Sequence, residues 1–176
     1  MIYLFRMISD ENPEFYRDIV IDSADSFLDF HSTIQKNLGY DPSQLASFFI
    51  TSGRWEKQQE ITLIDMKQEQ GLGTVIMEEA TLDQYVKEEH QRMIYVFDFF
   101  SERAFFLELL ESAEQTSPRE TPFVGKEKGD PPPQLSLDLL DSDMELGPDP
   151  FEDDEDDDFR LDDLDPDSLD SELPEE

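Results

Sequence analysis

The stretch Arg92–Glu111, RMIYVFDFFSERAFFLELLE, constrains the fold more than any other. Met93–Phe100 and Ala104–Leu110 are dense apolar runs parted by Ser101, Glu102 and Arg103. The first is short and rich in β-branched and aromatic side chains, the composition of a buried strand. The second alternates in part, Phe105, Leu107 and Leu109 against Phe106, Glu108 and Leu110, yet its Ala, Leu and Glu also suit a helix. A short polar break between two apolar runs reads as a hairpin, although it holds neither Gly nor Asn-Gly. The expectation is the central hairpin of a small α+β domain.

The elements before it support that class. Ile2–Ser9 reads as a strand, Asp10 to Pro13 as a turn, and Phe15–Ile21 as a second strand pairing antiparallel with the first. Ser26 is an N-cap residue with Asp29 at the capping-box position, followed by an apolar stripe of Phe27, Phe30, Ile34 and Leu38. Lys36 suits the last turns, and Gly39 the left-handed residue that ends the helix. Leu45–Thr51 and Glu60–Ile64 read as strands, with Gly53, Arg54 and Trp55 in a turn between them. Residues 65–80 form a polar loop with an extended piece at Thr74–Met77, and Thr81 starts a short helix with Gln84 completing a capping box.

Charge divides the chain. Residues 1–117 carry a net −13 and residues 118–176 a net −19, together −32. Such a chain repels phosphate backbones and anionic lipid, so direct nucleic-acid binding is disfavoured. Pro118, Pro122 and Pro131–Pro133 mark a linker. Beyond it, acidic blocks such as Glu152–Asp158 self-repel and build no core. The expected organisation is a domain over 1–115, a Pro-rich linker over 116–134 and a disordered acidic tail over 135–176. No cysteine is present, which removes disulfides, thiol catalysis and Cys-based zinc sites. The N-terminal apolar run is too short for a signal peptide, and no apolar segment approaches the ~20 residues of a membrane span. A cytoplasmic location is therefore expected, with the oligomeric state left open.

Three segments resemble a known family. Pro13 to Arg17 followed by Ile19, Val20 and Ile21 is similar to P-x-[IV]-W-R-R and its strand, with Tyr16 for the Trp and Asp18 for the second Arg. Phe30-His31-x-x-Ile34-Gln35-x-x-Leu38-Gly39-Tyr40-Asp41 resembles L-H-x-x-[IL]-Q-x-x-[FM]-G-W-x-D/N, and Ile94 to Phe99 resembles Y-x-Y-D-F. In order and spacing these look like the Orf-three-like domain of root-inducing (Ri) plasmids, found also in transposon passenger TnpR-like proteins. The similarity spans about residues 2–110. It implies the order β-β-α-β-β-α-β-β, with a mostly antiparallel, ubiquitin-like (β-grasp-like) sheet packed on one main helix. It also implies that Ala104–Leu110 is a strand. The family continues Y-D-F with G-D-x-W-x-H, where this chain has Phe100, Ser101, Glu102, Arg103, Ala104 and Phe105, and a family His is Gln44 here. Any polar site built from those groups is dismantled.

Candidate chemistry is sparse. His31 sits beside the helix stripe and reads as a packed or capping imidazole; His90 reads as an exposed loop residue. Neither has zinc-protease or dyad spacing, and no serine lies in G-x-S-x-G. Gly71-Leu72-Gly73 lacks a nucleotide-binding pattern, and Asp153–Asp158 lacks EF-hand order. Asp98 is the acid inside an apolar run, and burial requires a partner, Arg17 or Arg103. No catalytic, cofactor or metal site is expected. The expected function is a non-catalytic binding or adaptor module whose acidic tail, through Leu135, Leu137, Leu139 and Leu140, engages a basic protein surface. The alternatives are a nucleic-acid mimic acting on a DNA- or RNA-binding protein and a mobile-element-associated protein of unknown activity.

Overall fold

The computed structural model describes residues 1–65, 75–114 and 120–135. The chain divides into Met1–Ser136 and Leu137–Glu176. The second unit, with Leu137, Leu139, Leu140 and the expectation of a disordered tail, lies outside the described residues.

The elements run β1 (Ile2–Ser9), β2 (Tyr16–Asp22), α1 (Phe27–Leu38), β3 (Ser47–Thr51), β4 (Lys57–Thr62), β5 (Val75–Ile76), α2 (Leu82–Tyr85), β6 (Arg92–Asp98), β7 (Arg103–Ala113) and β8 (Phe123–Lys128). The strands form an eight-stranded sheet in the order β5-β4-β3-β6-β7-β1-β2-β8. Every pair is antiparallel except β4 with β5 at the edge. The domain is thus a mixed α and β fold dominated by one large, mostly antiparallel sheet. The helix is a minor element rather than a main one, with 12 residues in α1.

Alternation decides which face is dry. On β7, Phe105, Leu107 and Leu109 are fully buried while their neighbours turn outward, so Ala104–Leu110 is a strand, as the resemblance implied. The apolar stripe of α1 packs on the same face: Phe30 lies 5.0 Å from Phe5 and stacks on Phe48 at 5.3 Å, ring centre to ring centre. Phe48 continues to Tyr95 at 4.7 Å, and Phe105 joins Phe97 at 4.7 Å and Phe15 at 5.3 Å. Each such pair adds about 0.5–1.5 kcal/mol to the burial of its area. Ser26 and Asp29 form the reciprocal capping box, and Gly39 ends α1 at φ +67°.

Two boundaries move. Residues 116–134, expected as a linker, contain β8, which pairs with β2 (Ile19 opposite Val124, Asp18 opposite Lys126). Pro131–Pro133, which suggested a linker, instead lie in a strap held by side chains of the domain. Asn12 Nδ2 donates to Asp130 O, Arg17 to Lys128 O and Gly129 O, and Tyr40 to Pro132 O. Gln134 pairs with the Asp41 backbone in both directions. The domain therefore extends past 115 to the end of this strap. Strand ends also retreat: β3 starts at Ser47 instead of Leu45, β4 ends at Thr62 instead of Ile64, and β6 ends at Asp98 although the apolar run continues through Phe100. No helix among the described residues is long and apolar enough to cross a membrane.

Candidate binding surface

His31, Gln35 and Arg17, polar residues of the family-like segments, turn inward. His31 and Gln35, one helical turn apart on α1, both reach the hydroxyl of Tyr95 on β6, at 2.7 Å and 2.6 Å. The Gln35 amide N–H donates to that oxygen, and His31 Nδ1 is its second hydrogen-bond partner. Burial holds His31 down at about 4, hence neutral, and pushes the Tyr95 hydroxyl well above the usual phenol range. A neutral imidazole and an un-ionised phenol thus meet in the buried core.

Arg17 is buried too, but away from Asp98. Its guanidinium donates to Asn37 Oδ1 at 2.9 Å, to Tyr16 O and to the two strap carbonyls, and lies over the Phe15 ring. Of the two proposed pairs with Asp98, the structure brings together only that with Arg103, loosely, at 3.6 Å. Arg103 spends its stronger bonds on Glu11, at 2.8 and 2.9 Å, and on the carbonyls of Pro133 and Gln134. Asp98 acts chiefly on its own turn: Oδ1 accepts from the N–H groups of Phe100 and Ser101 at 3.0 and 3.2 Å. The left-handed residue of that turn is Glu102, at φ +53°. Asp98 Oδ2 is buried and accepts no hydrogen bond among the described residues.

His90 is exposed and paired with Glu108 at 2.9 Å. Among the described residues, no group of three or more His, Asp or Glu is placed to hold a metal ion.

The surface feature that sequence reasoning missed lies where the strands stop short. Phe100 is 92% exposed, Ile64 50%, Leu45 44% and Phe99 43%. They come from three separate overruns, yet antiparallel pairing puts the start of β3 against the ends of β4 and β6 (Ser47 opposite Thr62 and Val96). Together with Ala46 and Leu63 they line an almost wholly apolar pocket of about 250 Å³. Phe99 also borders a groove on the outer sheet face, beside Phe49, Ile94 and Phe106. Asp98 thus holds the turn that presents Phe99 and Phe100. Of the four tail leucines expected to bind, only Leu135 is described; it is 54% exposed at the end of the strap.

The plasmid pRiA4b ORF-3-like protein family matches residues 4–136, the sheet and the strap together. This chain is a member of that family. The match ends with the folded unit, and so reaches beyond the segments whose resemblance is legible by eye. A crystal structure of a protein of unknown function from Methanosarcina mazei Go1 shares the fold, with a TM-score of 0.56 at 18% identity over 72% of this chain and 68% of that one. No curated protein matches the chain.

Proposed function

We propose that this family member is a non-catalytic binding module, an adaptor that receives a partner protein at the sheet end bearing the β6–β7 turn. The observation that carries this reading is the pocket formed by Leu45, Ile64, Phe99 and Phe100, four large apolar side chains left in water. Apolar surface gathered this way is a recurrent mark of interaction sites. The inward bonding of His31, Gln35, Tyr95 and Arg17 supports the same reading, because it leaves the polar family-like residues to hold the core and the strap. The ubiquitin-like character of the sheet belongs to the proposal as well, a scaffold whose edges and ends serve as contact surfaces. Residues 137–176 are proposed as a second element, their acidic groups and Leu137, Leu139 and Leu140 meeting basic surfaces.

Neutral ligands test the pocket without involving charge. Titration of the full chain with N-acetyl-leucine amide or N-acetyl-phenylalanine amide should shift the amide NMR signals of Ala46, Ile64, Phe99 and Phe100 saturably. At a ligand efficiency of about 0.3 kcal/mol per heavy atom, dissociation constants on the order of millimolar are expected. Shifts scattered over the whole domain, or none, reject the pocket as a binding site.

A further inference from the structure

The size and the rim of the pocket together specify what fills it. A volume of about 250 Å³ falls below the ~300–1,000 Å³ of small-molecule sites, but suits one anchor side chain of an interface hot spot. Its lining offers that side chain almost no polar contact. Charge enters at the rim. The adjoining outer groove, which shares Phe99 with the pocket, is bordered by Glu60 and Glu102 together with Lys57, and Asp65 follows Ile64 in the chain; all four are exposed. Among the described cations nearby, Arg103 is bonded bidentately to Glu11, and the Lys57 ammonium lies in the groove itself, 4.3 Å from the centre of the Phe49 ring.

We propose that this pocket takes a single Leu-, Met- or Phe-sized side chain from a Lys- or Arg-bearing segment of a partner protein. The carboxylates of Glu60 and Glu102 in the adjoining groove, and of Asp65 beside Ile64, receive the flanking cations. An apolar anchor with opposite charge around it combines affinity from desolvation with steering from the rim. An acidic segment reaching the same pocket meets like charge on several sides. The proposal rests on the binding-module reading and narrows it to one partner chemistry.

The test uses the full chain and three peptides: Lys-Lys-Gly-Leu-Gly-Lys-Lys, its Glu-for-Lys counterpart, and the Lys peptide with Gly in place of Leu. Affinity is read from the amide shifts of Ile64, Phe99 and Phe100 at an ionic strength of about 0.15 M, where charges beyond about 8 Å are screened. The Lys–Leu peptide should bind about tenfold or more tighter than either of the others. Ile64→Ser and Phe100→Ser, both at exposed positions, should abolish that advantage without moving the thermal midpoint. Glu60→Gln with Glu102→Gln should weaken binding several-fold. Equal binding of the Glu peptide overturns the charge assignment while leaving an apolar binding site intact. Equal binding of the Gly peptide, or undiminished binding by Phe100→Ser, places the cations on the acidic residues beyond the pocket and overturns the proposal. Concentration-dependent shifts at the same residues without peptide identify a second copy as occupant, and also overturn it. Failure of the neutral amides rejects the underlying reading itself.

Discussion

Tyr95→Phe removes one oxygen from the centre of the fold, and its cost follows from what that oxygen holds. The hydroxyl accepts from Gln35 Nε2 and is hydrogen-bonded to His31 Nδ1. Without it the ring still fills its place between Phe48 and Phe105, so no cavity opens. Two polar groups of buried side chains are stranded instead. A stranded buried donor or acceptor costs about 1–3 kcal/mol, so the substitution should cost about 2–5 kcal/mol in total. Urea titration followed by circular dichroism should show this as a lower midpoint with an unchanged slope. The same reasoning predicts a reversal. Combining Tyr95→Phe with His31→Leu and Gln35→Leu removes every member of the cluster and should recover stability to within about 1 kcal/mol. A Tyr95→Phe protein as stable as wild type refutes the assigned bonds. A triple variant less stable than the single one refutes the view that the three side chains stabilise the fold only through one another.

Other outcomes follow from the same geometry. His31 has its folded value lowered to about 4 from an ordinary 6.5, so the unfolded chain holds more protons between those values. Its contribution is therefore complete above about pH 6.5 and lost as pH falls toward 4, on the order of 3 kcal/mol in all, and His31→Leu should flatten that part of the wild-type stability profile. Residues 1–115 alone lack the carbonyls that receive Arg17 and Tyr40; they should give a collapsed, poorly dispersed NMR spectrum, whereas residues 1–136 keep the midpoint of the full chain. Gly129 sits at φ +73°, and a Cβ there would lie 2.9 Å from Phe15 Cα; Gly129→Ala should cost the ~1–2 kcal/mol of a left-handed residue plus the strain of moving backbone, read by denaturant melts. Asp98→Ala removes the acceptor of two turn N–H groups and should lose about 1–3 kcal/mol, while Asp98→Asn, which keeps Oδ1, loses less.

Much of the sheet and α1 was readable because local and tertiary signals agree there. Ser26, Asp29, the stripe from Phe27 to Leu38 and Gly39 each specify the helix. Ala104–Leu110 was ambiguous because Leu, Ala and Glu fit either state; its pairing with both β1 and β6 makes it a strand, which no local preference records. The β6–β7 turn lacked a glycine signal because Glu102 takes the left-handed position and Asp98 closes the turn. β8 was hidden by the surrounding prolines, and its place depends on Arg17 and Tyr40, far earlier in the chain. The reach of Arg17 to Lys128 and Gly129 also explains why its expected pairing with Asp98 does not occur. The binding surface was concealed by hydrophobicity itself. Leu45, Ile64, Phe99 and Phe100 read as strand, and only the observed strand ends separate them from the core.

The central claim is that the exposed end of the sheet binds while the buried polar cluster only holds the fold. Its most direct test is one titration: the Ile64 amide shift against N-acetyl-phenylalanine amide, in wild type and in Phe100→Ser. A saturable shift in wild type that vanishes in Phe100→Ser, with the thermal midpoint unchanged, is the predicted result. The same saturable shift in both proteins, or in neither, contradicts the claim.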